Sequence, residues 1–138
     1  MTKVEVQETV QAKAAAVWPL LSDFAGIKVG GPIESFEVEG EGVGAVRTIG
    51  MGGGQVIERL ERHDEVAMVF SYSIINDDAP LPVSDYYATI VIAPEGDEAC
   101  HVSWVGTFEP KGEEAKAIKI IEGIYKGGIA GAKKALGV

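Results

Sequence analysis

The turn Met51-Gly52-Gly53-Gly54 brings an arginine opposite a glutamate. With Gly52-Gly53 as a two-residue hairpin loop, Met51 pairs with Gly54, Ile49 with Val56 and Arg47 with Glu58. Period-two alternation over residues 55–61 makes Val56, Glu58 and Leu60 the better core face. A carboxylate among apolar neighbours is costly unless it is paired or protonated. The register supplies Arg47 as the partner. A surface ion pair is the alternative, should both strands be flipped or slipped by one residue. An inward pair offers acid–base chemistry. Glu58, its pKa raised by burial or lowered by Arg47, is the candidate base, and Arg47 could steady an enolate-like oxyanion. The acid would be His101 or Tyr72.

Tyr72 belongs to the apolar face Val66, Met68, Phe70, Tyr72 and Ile74 of a strand expected over residues 66–75. Its hydroxyl needs a partner if buried, which makes it a polar handle for a ligand. The final hairpin leaves two readings open. With Gly96-Asp97 as its loop, Tyr86 faces Thr107, Ile90 faces Ser103 and Ile92 faces His101, while the other face pairs Tyr87 with Gly106 and Thr89 with Trp104. Both faces are plausible cores on composition.

These side chains need elements to hold them. Residues 3–10 alternate as a half-buried strand. Residues 12–22 are rich in helix formers, with Pro19 allowing only a short or kinked helix. Residues 23–32 read as a turn or a second short helix. Strands follow over 33–39, 44–50, 55–61, 66–75, 85–93 and 100–108. Residues 113–136 are a helix whose Ile118, Ile121, Tyr125, Ile129, Ala132 and Leu136 form one stripe. An antiparallel sheet must bury one face, and this helix is the element available to cover it. One helix in a curved sheet leaves a gap that side chains need not fill. Gly123, Gly127 and Gly131 recur every four residues beside Ile120 and Ile124. They suggest either a homodimer contact or unselected glycines.

The chain has 138 residues and a net charge of −9, a length that fits one domain and a charge that repels nucleic acid and anionic membranes. One cysteine and two histidines exclude an internal disulfide and leave too few ligands for a zinc or iron site. No run of ~18 apolar residues exists to span a membrane. The first five residues lack the apolar run of a signal peptide, so a cytoplasmic protein is expected. There are no paired aspartates, no Ser–His–Asp order and no nucleotide loop; the glycine turn after residue 50 is a hairpin, with no helix following it.

Val17-Trp18-Pro19-Leu20-Leu21-Ser22-Asp23-Phe24, Gly44-Ala45-Val46-Arg47, residues 56–64 (VIERLERHD), Ser71-Tyr72-Ser73-Ile74, residues 81–86 (LPVSDY) and residues 104–110 (WVGTFEP) share an order and spacing. In this the chain resembles the START-like, or SRPBCC, superfamily in its bacterial polyketide cyclase/dehydrase branch, a superfamily that also holds the plant abscisic-acid receptors and the birch pollen allergen. The resemblance implies an α+β helix-grip fold. A seven-stranded curved antiparallel sheet would wrap the long C-terminal helix, with two short helices after the first strand. It also implies an apolar cavity for a small hydrophobic or aromatic ligand, without a cofactor. It favours Glu58, Tyr86, Ser103 and His101 facing that cavity. It makes residues 76–84 a gate, with Leu81 and Val83 capping the ligand and Asp77 and Asp78 in solvent; the alternative is a rigid connector that merely keeps the edge strand from pairing with neighbours. The expected lining is Arg47, Ile49, Glu58, Phe70, Tyr72, Ile74, Leu81, Val83, Tyr86, Ser103, Tyr125 and Ile129. Two functions are carried forward: a binding protein or carrier, and a cofactor-independent cyclase, dehydratase or lyase.

Overall fold

A computed structural model describes residues 1–138. In chain order it contains β1 (Thr2–Val10), α1 (Ala14–Leu21), β2 (Ile33–Glu39), β3 (Val46–Met51), β4 (Gly54–Asp64), β5 (Val69–Ile74), β6 (Val83–Pro94), β7 (Cys100–Pro110) and α2 (Glu114–Leu136). The strands form one antiparallel sheet in the order β1-β7-β6-β5-β4-β3-β2. Its inner face packs on α2 through Ile121, Tyr125 and Ile129, all fully buried. This is the α+β helix-grip arrangement, with one departure. Only α1 is helical between β1 and β2; the second short helix expected within residues 23–32 is absent. Gly26, Gly30 and Gly31 followed by Pro32 explain this, because each glycine costs a helix ~1 kcal/mol and proline more. Gly30 and Gly31 adopt φ of 148° and 55° instead.

The β3–β4 hairpin has the register counted from its glycines. Gly52 and Gly53 take φ of 59° and 78°, the loop is two residues long, and Arg47 lies opposite Glu58. The β6–β7 hairpin differs from expectation by one residue. Its loop spans residues 95–99, closed by Glu95 N–H donating to Ala99 C=O, so Ile90 faces Trp104 and Ile92 faces Val102. A single-residue slip exchanges the faces of a strand. Trp104 and Gly106 therefore turn inward, and Ser103 and His101 turn outward. Tyr87 lies opposite Thr107 on the outer face, and not over Gly106.

Besides a register shift in β2 between Ile33 and Ser35, two bulges change the phase within strands. One in β4, between Leu60 and Arg62, turns His63 to the inner face opposite Phe70. The other in β6, between Ser84 and Tyr87, sets Asp85 at φ 51° and lets both Val83 and Tyr86 point inward. β5 starts later than its apolar run. Val66 is 97% exposed, in a turn where the Asp64 carboxylate accepts from the Val66 and Ala67 N–H groups. No helix is long and apolar enough to cross a membrane.

Candidate ligand cavity

Between sheet and helix lies a cavity of about 340 Å³. The sheet contributes Arg47, Phe70, Tyr72, Ile90 and Trp104, one from each of β3 and β7 and the rest from β5 and β6. α2 contributes Gly128, and α1 contributes Leu20 and Leu21. The α1–β2 connection completes the rim with Asp23, Gly26, Ile27 and Lys28. Trp104 owes its position to glycine. A Cβ at Gly128 would come within 2.6 Å of the indole Cζ3, so only a bare backbone lets the ring lie against the helix. Tyr125 stacks on the same indole, with ring centres 4.6 Å apart and planes 13° from parallel.

The polar groups are few and buried. Arg47 and Glu58 are each 7% exposed, and Arg47 Nε donates to Glu58 Oε1 at 2.7 Å. A second guanidinium nitrogen donates to the Phe24 carbonyl at 3.1 Å. The guanidinium also lies over the rings of Phe24 and Tyr72, 4.4 Å and 5.2 Å from their centres. Burial pushes the Glu58 carboxyl above its ordinary value, and the charge and hydrogen bond of Arg47 only partly oppose it. Burial likewise raises the hydroxyls of Tyr72, Tyr86 and Tyr125, the last two of which hydrogen-bond each other. At neutral pH these phenols keep their protons, so they can donate hydrogen bonds but do not serve as ready proton sources.

A family model described as polyketide cyclase/dehydrase and lipid transport matches residues 1–137. The chain belongs to this family. No curated protein matches the sequence. Among solved structures, the protein XoxI from Bacillus cereus is 29% identical, with TM-score 0.83 over 98% of this chain and 95% of that one. An uncharacterised protein from Bacillus thuringiensis is 28% identical, with TM-score 0.82 over 97% and 98%. Norcoclaurine synthase from Thalictrum flavum, solved with dopamine and hydroxybenzaldehyde, is 21% identical at TM-score 0.74 over 98% and 85%, a likeness of fold.

Against the cavity expected of this family, the sequence-predicted residues divide into three groups. Arg47, Phe70 and Tyr72 line it, and Glu58 stands behind Arg47. Ile49 instead packs with Val56 and Ala79 in a small second cluster, which Ile74 and Leu81 link to the main core. Ile74, Val83 and Tyr86 border a separate hollow of about 180 Å³ beneath residues 75–77. Tyr125 and Ile129 are wholly buried under the sheet. The third group is corrected outright. His101 lies on the outer face, 3.1 Å from Gln7 Oε1, and Ser103 sits beside it opposite Gln7 and Val91. Neither reaches Glu58, so His101 is not its acid partner.

The loop over residues 76–84 is pinned down. Ala79 is buried, Pro80 sits over Gly52 and Gly54, and the Asn76 side chain bonds the Ile57 N–H and Gln55 C=O; Asp77 and Asp78 are exposed. Sequence reasoning missed Trp104, Gly128, Leu21 and Ile27 at the cavity, and it missed His63. His63 stacks on Trp18 at 5.4 Å and borders an adjoining hollow of about 310 Å³ behind Phe24. The only available signal for Trp104 was the alternative face of the last hairpin.

Proposed function

We propose that the protein binds a small hydrophobic or aromatic molecule in the cavity between the sheet and α2. The observation that carries this reading is a half-open hollow, apolar over most of its inner wall, with one buried cation in that wall: Phe70, Ile90, Trp104 and Leu21 around Arg47, itself tied to Glu58 behind it. Few polar anchors in an apolar hollow are what a small-molecule site requires. Arg47, Phe70 and Tyr72 are the contacts, and the ligand enters past Leu20, Ile27 and Lys28. The aromatic molecules held by norcoclaurine synthase are consistent with this use of the fold. Native mass spectrometry of freshly purified protein is the test, with a retained small molecule expected. A protein that carries nothing, and whose melting temperature aromatic compounds do not move, would end the reading.

A second reading, a cofactor-independent cyclase, dehydratase or lyase, is favoured by one feature. Burial raises the Glu58 carboxyl beside phenols that stay neutral, so that, where a ligand draws Arg47 aside and uncovers it, the carboxylate could take a proton next to a carbonyl while Tyr72 donates to the developing oxyanion. Glu58→Gln then abolishes turnover while ligand affinity stays within about a factor of ten. Unchanged turnover in that variant would exclude Glu58 as the base.

A further inference from the structure

Arg47 is a cation in the inner wall of the cavity, and it is 7% exposed. Two of its nitrogens are engaged. Nε donates to Glu58 Oε1 at 2.7 Å, and Nη1 donates to the Phe24 carbonyl at 3.1 Å. The rings of Phe24 and Tyr72 lie against the guanidinium. The third nitrogen, Nη2, has no acceptor in the chain and is not closed off; the space it meets is the cavity. A guanidinium keeps its charge in a protein, so this nitrogen always donates. A purely apolar ligand would strip it of water and give nothing in return.

We infer that the ligand is a small, flat aromatic carboxylate held by the free edge of Arg47, and that Glu58 takes a proton from solvent as the ligand binds. The inference rests on the proposed binding function and names its ligand class. The planar guanidinium fork matches a carboxylate, and a charge-assisted hydrogen bond is roughly twice as strong as a neutral one. Flatness follows from Phe70, Tyr72 and Trp104 in the wall, and small size from a volume of about 340 Å³. The proton follows from the charges. Arg47 carries one positive charge, and Glu58 already meets it at Nε. A second carboxylate on the same guanidinium leaves one negative charge too many in a place water barely reaches, which favours a proton on one of the two. Glu58 is the one that yields. It lies behind Arg47, and burial already favours its neutral form. Around the pair, β5, β6 and α2 present the phenols of Tyr72, Tyr86 and Tyr125, which keep their protons at neutral pH. The α1–β2 connection presents Asp23 and Lys28 at the rim.

The test compares three probes of one shape, 2-naphthoate, 2-naphthamide and 2-ethylnaphthalene, by equilibrium dialysis from about pH 5 to about pH 9. At the acid end naphthoate is expected to bind about tenfold more tightly than naphthamide. Its affinity should fall as pH rises, by up to about tenfold per pH unit, while that of naphthamide stays level. Glu58→Gln should remove the fall; a fall kept in that variant overturns the assignment of the proton to Glu58. If the variant does not fold, the unaltered protein decides. Proton uptake is read there as the difference in naphthoate binding heat between Mops and imidazole buffers, and the infrared bands of bound naphthoate report its own charge. Uptake with intact carboxylate bands supports the inference; no uptake at any pH, or an acid carbonyl band, overturns it. Naphthoate binding no tighter than naphthamide or 2-ethylnaphthalene overturns it while leaving the cavity in use. Failure of all three probes to bind overturns the binding function itself.

Discussion

Arg47 and Glu58 hold each other in a place where neither would survive alone. Removing one partner of a buried pair strands the other's charge, at about 3–5 kcal/mol. Arg47→Met and Glu58→Met should each lower stability by that order in urea titrations. The double variant should lose far less than the sum, because no stranded charge remains. Additive losses would mean that the pair is not coupled. Glu58 also sets a pH dependence. Its folded pKa lies above the ordinary 4.5, so the native state keeps a proton that the unfolded chain has already released. The resulting stability is fully present below 4.5 and is lost as pH rises through the raised value. The difference in unfolding free energy between the unaltered protein and Glu58→Gln should therefore shrink with rising pH across that window. A difference independent of pH would show that burial does not raise this carboxyl.

At the scale of elements, the glycines of α2 separate into two kinds that sequence treats alike. Gly123 and Gly127 have open space where a Cβ would go, whereas Gly128 is filled by the Trp104 ring. Gly123→Ala and Gly127→Ala should each stabilise the helix by up to ~1 kcal/mol, seen as a higher melting temperature. Gly128→Ala gains the same propensity but must displace the indole, so it should melt lower and reshape the cavity. Were Gly123→Ala to destabilise, a partner covering that face would be indicated and the homodimer contact would stand. The strands show a related contrast. Alternation along β4 correctly orients Glu58 and Leu60, then loses its meaning at the bulge before Arg62, beyond which His63 points inward. Nothing in Glu61-Arg62-His63 marks that extra residue, because a bulge is fixed by the strand alongside it.

For the whole molecule, the issue is which end opens. The cavity is bordered by α1 and the connection that follows it, and its rim residues Leu20, Leu21, Gly26 and Lys28 also border a surface groove of about 530 Å³ along α2. The opposite end is shut by the Tyr86–Tyr125 hydrogen bond and by Ala79 and Leu81 packed inside the loop. Ligand binding should thus slow amide hydrogen exchange over residues 20–28 and leave residues 76–84 unchanged. Protection confined to 76–84 would move the entrance to the other end.

The sequence by itself determined the strand–helix order, the buried stripe Ile121, Tyr125 and Ile129, and the Arg47–Glu58 pairing. These are local quantities: a two-residue glycine loop admits one register, and a helical period admits one face. Tertiary structure alone decided that Trp104 and not Ser103 or His101 faces inward, that residues 23–32 stay extended and turned, and that Gly128 makes room for an indole. Alternation gives two faces without saying which is inside until the turn length is known. A cavity, moreover, is a distance between elements, and no pattern within any one of them records it.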